Sequence, residues 1–332
     1  MISVIIPAYN EQRFLATCLD SLLGQTYTDW EAVIVNDGST DSTAEIADRY
    51  AVGDRRFHVI TIPNSGQATA RNAAFSHIHG EWVAFLDADD AFTPQALATL
   101  LHAAETTGAP VAYGTVEYVE DIDLNSLCRG AAAEEICTRG ALEVSAEILY
   151  QTPGGALASV CNKLWHRSVI GDTRFSDGVW FEDLDFNLKV LPRLDKVAAT
   201  DASVYLYRKN PGSFLHTFSE SRFDSLLVTG EMEQRFADNP ALLAASRERR
   251  MSAAFNILWL LAINPERRNK YDDMARRCWQ IVCERRRDSL CNPAVRPKNR
   301  AAALLSYLGR PVTEAVLRLC NRLHLFQPPQ AD

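Results

Sequence analysis

The chain has 332 residues, 47% hydrophobic and 23% charged, an ordinary globular composition with enough length for a sizeable core. The formal net charge of −8 is unevenly spread: residues 231–332 carry 18 Lys+Arg against 11 Asp+Glu, and residues 1–230 carry 16 against 31. An acidic body argues against nucleic-acid binding, whereas the basic tail suits an anionic surface. Short apolar runs predict strands at ISVII (2–6), EAVIV (31–35), FHVITI (57–62) and WVAFL (82–86). Amphipathic stretches at about 11–24, 41–51, 66–79 and 93–107 predict the helices between them. Strands and helices alternating at this spacing make βαβ units and a mostly parallel sheet.

PVAYGTVEYV (110–119) reads as a fifth strand, RGALEVSAEILY (139–150) as a helix broken by Pro-Gly-Gly at 153–155, and KVAATDASVYLYRK (196–209) as a strand. A helix starts at about 182, and from about 218 the pattern is helical to the end. The longest apolar run there, ILWLLAI (257–263), falls far short of the ~18 residues a membrane span needs. The eight cysteines form no CxxC pair and MISVIIPAYN has no basic leader, so reduced thiols in the cytoplasm are expected.

An open parallel sheet binds ligands at the carboxyl ends of its strands. Those ends are PAYNE (7–11), NDGSTD (36–41), NSGQATARN (64–72) and DADD (87–90), all polar and all on one edge by topology. Asp37 could accept a base N–H, with Ser39 or Thr40 capping the next helix. Arg71 offers a fork suited to a diphosphate. Glu11 sits where a helix dipole favours a carboxylate. Asp87 and Asp89, spaced i, i+2 on an extended chain, put two carboxylates on one side. Such oxygen ligands select Mg²⁺ or Mn²⁺, and Mg²⁺ is usually held by one or two carboxylates plus substrate phosphates. Asp90 reads as a cap for the following helix. Downstream, WFEDLDF (180–186) places Glu182 and Asp183 at a helix start, where Trp180, Phe181 and Phe186 could dry a general base. His216 is a candidate third metal ligand.

SVIIPAYNE, VNDGSTD, GQATARN and FLDADD, in this order, resemble the family 2 glycosyltransferases of the GT-A fold, with NKLWHR and FEDLDF resembling their acceptor side. The resemblance covers residues 1–215 or so. It implies a Rossmann-like α/β sheet flanked by helices, with a GT-A catalytic domain over 1–217 and a helical C-terminal extension over 218–332. The nucleotide-sugar half would be 1–109 and the acceptor half 110–217. It also implies an inverting hexosyltransferase that uses a nucleotide-diphosphate sugar, most often a UDP-sugar, and a divalent metal. By similarity Pro7, Ala8, Tyr9 and Glu11 line the nucleotide pocket, joined by Gly66, Asn72 and Ala88, and Asp37 reads the uracil edge. Arg71 lies near base and diphosphate, Asp87 near ribose or sugar, and Asp89 binds the metal with Asp87 or His216. Asp183 is the expected base, with Glu182 and Lys163 in support. Processive members carry QxxRW and transmembrane helices; this chain shows neither, which points to one sugar per encounter, given to a glycan or lipid-linked acceptor in bacteria. A pyrophosphorylase would need a Gly-rich loop where PAYNE stands, and a non-catalytic sugar-nucleotide binder would not need Asp89 and Asp183.

Within the candidate membrane-association segment 300–326, RPVTEAVLRLCNRLHLF (310–326) has a basic amphipathic pattern. Arg310, Arg318 and Arg322 share one stripe with Glu314; Val312, Val316, Leu319, Leu323 and Phe326 share another. Two readings stay open: the helix lies in the membrane interface on the inner face, or it packs on the protein with its Arg face in water.

Overall fold

The computed structural model describes residues 1–122, 135–209 and 219–323. The chain forms two compact units: residues 1–143, 159–178 and 182–210 in one, and 144–158, 179–181 and 211–332 in the other.

The first unit is built on a mixed sheet. Strands β1 (Ile2–Ala8), β2 (Trp30–Asp37), β3 (Phe57–Ile62) and β4 (Trp82–Phe85) pair in parallel in the order β3-β2-β1-β4. Every residue of β1 and β2 is buried, as continuous apolar runs require of a sheet covered on both faces. The connections run outward from β1 to β2 and β3, then return to β4 on β1's other side. The strand order therefore reverses between β1 and β4, where an open sheet forms a crevice at its carboxyl edge. PAYNE and DADD flank it.

Beyond β4 the expected parallel order changes. After β5 (Ala91–Phe92), β6 (Val111–Val119) and β7 (Ile136–Gly140), strand β8 (Lys163–His166) inserts antiparallel between β4 and β6. The long β9 (Lys196–Arg208) pairs parallel with β6 and antiparallel with β5 and β7. NKLWHR is thus a central strand, buried from Lys163 to Trp165. It carries the second half of the unit to the edge of the first. Helices α1 (Leu15–Leu23), α2 (Thr43–Gly53), α3 (Gln67–Ala74) and α4 (Ala96–Thr107) fall within the expected helical stretches, α2 running two residues past its expected end.

The second unit is helical, with helices at Asp224–Arg235, Pro240–Ala262, Pro265–Lys270, Asp272–Cys291, Pro297–Leu305 and Arg310–Arg322. Its core gathers Leu226, Met251, Leu258, Leu261, Ile281 and Leu317, among others. Ile257, Leu258, Leu261 and Ala262 of ILWLLAI belong to that core, and among the described residues no helix is long and apolar enough to cross a membrane.

Candidate functional site

The crevice is built first by tying the loops after β1 and β2 together. Asn10 has a φ of 58°, a left-handed backbone that Asn tolerates. Its N–H donates to Ser39 Oγ at 3.1 Å and its Oδ1 accepts from Thr40 N–H at 2.8 Å. Glu11 N–H donates to Thr43 Oγ1 at 2.7 Å. Ser39 and Thr40 therefore do not cap α2, whose first residue Thr43 donates its N–H to Asp41 Oδ1 at 3.0 Å. Pro7 and Ala8 end β1 buried, while Tyr9 is exposed at the crevice mouth.

Asp37 is buried and braces a turn. Its two oxygens accept the N–H groups of Ser65 and Gly66, each at 2.8 Å. Gly38 permits this: its φ is +68°, and a Cβ there would lie 2.7 Å from Asn64 N. A carboxylate has about four lone-pair sites, so acceptor capacity for a ligand N–H remains. Gly66 itself, at φ +90°, starts α3.

Arg71 is engaged by ion pairs within the protein. Its side chain is 1% exposed, and its fork clasps carboxylates of this chain instead of standing free for a diphosphate. NH2 donates to Asp87 Oδ1 at 2.9 Å; NH1 donates to Asp183 Oδ1 at 2.6 Å and Glu182 Oε1 at 3.2 Å. The guanidinium carbon also lies 5.1 Å from the Phe175 ring centroid. Burial works against the charge, but Asp183, Asp87 and Glu182 outweigh it and hold Arg71 firmly protonated. Asn72 is likewise engaged within the chain. Its amide donates to Phe175 O and Asp177 Oδ1 and accepts from Phe175 N–H, all within 3.0 Å, so it fastens the segment leading toward Glu182.

The four residues of DADD divide their work. Asp87 Oδ1 also accepts from Gln67 Nε2 at 2.8 Å. Ala88 is buried. Burial, then Asp87's charge, pushes Asp89 up to about 6. Asp90 does not cap the next helix: it accepts from Tyr205 OH and from Arg208 N–H, each at 2.8 Å, and so latches the loop to β9. Burial and Asp89 push Asp90 well above the carboxylate range. Glu11 faces the same cluster; burial, then Asp89, raises it to about 7.

Asp183 sits at the start of the helix Glu182–Val190, and its Oδ2 accepts the Val160 N–H at 3.1 Å. Burial raises its pKa and Arg71 opposes the rise. Burial, then Asp183, brings Glu182 to about 7. Lys163 is wholly buried, its Nζ donating to Ser159 O at 2.5 Å and Asn162 Oδ1 at 3.2 Å, and burial lowers it to about 7. It stiffens the segment that donates to Asp183. Phe186 is buried and stacks on Phe175 with centroids 4.2 Å apart, but Trp180, expected to dry the base, is 45% exposed. Phe181 has a φ of 71°, a sparsely populated conformation for a bulky side chain directly before the acidic pair.

The sequence reading missed Arg208, Tyr205, Gln67 and Val160. Arg208 is the most consequential, donating from Nε to Asp89 O at 2.9 Å and lying 4.5 Å from the Phe14 ring. Its one signal was a cation ending the strand-like KVAATDASVYLYRK. Among the described residues no three His, Cys, Asp or Glu side chains form a metal-ligand set. Asp87 and Asp89 remain as a carboxylate pair; His216 lies outside the described residues. The pair fits a hard divalent ion: with Glu11 it concentrates negative charge that raises the proton affinity of Asp89 and Glu11, and a cation would relieve that repulsion.

The family model described as Glycosyl transferase family 2 matches residues 3–153. The Glycosyltransferase GlyA of Streptococcus pneumoniae serotype 4 is 32% identical over 232 residues, covering 68% of this chain and 33% of that protein. The Uncharacterized glycosyltransferase EpsJ of Bacillus subtilis is 30% identical over 217 residues, covering 64% of this chain and 62% of that protein. The chain thus spans less than two thirds of the length of either. The structure of S. aureus TarS 1–349 in complex with UDP-GlcNAc superposes with a TM-score of 0.68 at 19% identity, covering 97% of this chain and 92% of that one. The fold is GT-A.

Proposed function

The chain belongs to glycosyl transferase family 2, and on that premise we propose that it is an inverting hexosyltransferase. It moves one sugar per encounter from a UDP-sugar to a hydroxyl of a glycan or lipid-linked acceptor, in the assembly of bacterial cell-surface polysaccharide. The UDP-GlcNAc bound to TarS supports that donor class. One observation carries the reading: Arg71 ties Asp87, at the end of β4, to Asp183, from a segment far along the chain, within one guanidinium's reach. That juxtaposition supports reading the donor-side and acceptor-side carboxylates as one site.

Asp183 is the base. As the acceptor oxygen bonds to the anomeric carbon, the bond from that carbon to the diphosphate oxygen breaks, and the acceptor proton passes to Asp183. Arg71 orients Asp183 and opposes the rise that burial gives its pKa, and Val160 N–H fixes its second oxygen. A Mn²⁺ or Mg²⁺ held by Asp89, with Asp87, would supply Lewis-acid stabilisation of the leaving diphosphate when bound. Pro7, Ala8, Tyr9, Glu11, Asp37, Gly66 and Ala88 form the nucleotide end, with Arg71 bracing the carboxylates and Asn72 the segment at Phe175 and Asp177.

The test is nucleotide release from a panel of sugar nucleotides with Mn²⁺ and candidate acceptors, for wild type, Asp183→Asn and Asp89→Asn. Release by wild type alone supports the assignment. Full turnover by Asp183→Asn with a true acceptor removes the base assignment. Failure of every sugar nucleotide to turn over or to stabilise the protein removes the reading.

A further inference from the structure

The C-terminal helix Arg310–Arg322 docks by its charged side. Glu314 is buried and pairs with Arg310 at 2.7 Å, Arg268 at 2.8 Å and Arg318 at 3.7 Å. Arg310 also pairs with Asp272 at 2.9 Å. Thr313 and Leu317 are buried on that side. At about 100° per residue, Val312, Leu319 and Leu323 lie on the opposite side. Just before this helix, Leu304 at the end of the helix Pro297–Leu305 and Tyr307 and Leu308 in the 3-10 turn Ser306–Leu308 are also turned outward. All six side chains are between 44% and 64% exposed. A stable globular unit does not normally turn such a set outward.

Charge identifies the occupant. Arg322 is exposed beside the Leu319–Leu323 stripe, and Arg300 is exposed one turn before Leu304. The Arg286 guanidinium lies 4.0 Å from the Tyr307 ring centroid. The whole segment 231–332 carries 18 Lys+Arg against 11 Asp+Glu. A second copy docked here would bring like charge against like charge. No described helix can cross a bilayer. We infer that this face docks on an anionic lipid bilayer, its apolar side chains entering the headgroup boundary and its arginines meeting lipid phosphates. The surface lies wholly in the helical unit, and the inference stands without the proposed reaction.

The test is co-sedimentation of the full chain with phosphatidylcholine vesicles, with and without phosphatidylglycerol, at low and high salt. Wild type should partition at least about tenfold more strongly onto anionic vesicles at low salt. Leu308→Glu/Leu319→Glu, both at exposed positions, should lose about tenfold or more, with the helical circular dichroism unchanged. Arg300→Glu/Arg322→Glu should lose the preference for anionic lipid. Nucleotide release in solution should be unchanged in both variants, which separates this surface from the site. Wild type left in the supernatant with anionic vesicles overturns the inference, as does binding indifferent to Leu308→Glu/Leu319→Glu. So does self-association in sedimentation velocity that this double variant abolishes, which would make a second copy the occupant.

Discussion

Replacing Arg71 by Met tests how the site is held together. The substitution roughly keeps side-chain volume and removes the cation that Asp183, Asp87 and Glu182 share at 2.6, 2.9 and 3.2 Å. Removing one partner of a buried ion pair costs about 3–5 kcal/mol, because uncompensated charge stays behind. At roughly 2–4 °C per kcal/mol for a domain of this size, the melting temperature should fall by about 10 °C near pH 8. Glu182, already brought to about 7 by burial and Asp183, can escape by taking a proton. Burial raises Glu182 and Asp183, so without Arg71 their cost is absent below their unfolded values and appears as pH rises through the folded ones. The deficit should therefore be smaller at pH 5 than at pH 8. Asp183 acts only when ionised, so the acid limb of the kcat/KM profile should also move to higher pH. Arg71→Lys keeps a charge but cannot span the carboxylates, and should recover part of the stability and less of the rate. Differential scanning calorimetry across pH and steady-state nucleotide release measure both effects. A melting curve unchanged at pH 8, with an unmoved acid limb, refutes the view that Arg71 binds the site together.

Tyr205→Phe removes the hydroxyl that donates to Asp90 at 2.8 Å and accepts from Asp87 N–H at 3.2 Å, and should cost about 1–3 kcal/mol in urea unfolding. Asn72→Ala should raise protease cutting near residues 175–181 and lower kcat, because Asn72 holds Phe175 and Asp177 through three hydrogen bonds; unchanged cutting would count against it. Lys163 titrates near 7 in the fold and near 10.5 unfolded, so the unfolded chain holds more protons between those values and stability from this group rises with pH there. Lys163→Met should flatten that rise, read from melting temperatures between pH 6 and 10. Asp89→Asn should abolish the stabilisation given by Mn²⁺ with UDP, by thermal shift, and leave any stabilisation by UDP alone.

Periodic features of the sequence translated well into structure. Continuous apolar runs gave β1 to β4, and strand-end topology brought PAYNE, NDGSTD and DADD to one edge. Pairings made over distance were not legible. Arg71 meets Asp183 across 112 residues, and Asp90 meets Arg208 across 118. An Arg in GQATARN is chemically equal for phosphate or carboxylate. Which one it meets is decided by where β8 and the helix Glu182–Val190 bring the acidic pair. Asp90 read as a helix cap because the two-residue strand β5, which sets it against β9, is too short to show a period.

The C-terminal helix shows the same limit more sharply. A two-stripe pattern fixes the opposition between a charged and an apolar face, but it is symmetric to exchanging inside and outside. Hydrophobic burial alone would turn the apolar stripe inward. Here Arg268 and Asp272 supply countercharges for Glu314 and Arg310, so the charged stripe can be buried with its partners satisfied. Those two residues lie in an earlier stretch with no periodic link to the helix. The exposed stripe is therefore a consequence of paired charge on the inner face, and substitutions that unpair it should turn the helix over. Arg268→Leu with Asp272→Leu removes the countercharges supplied from outside the helix, leaving only its own Arg310 and Arg318 pairs with Glu314, and should lower the exposure of Leu319 to a reactive probe placed there as Leu319→Cys. Unchanged labelling in that background would show that something other than charge pairing sets the helix's orientation.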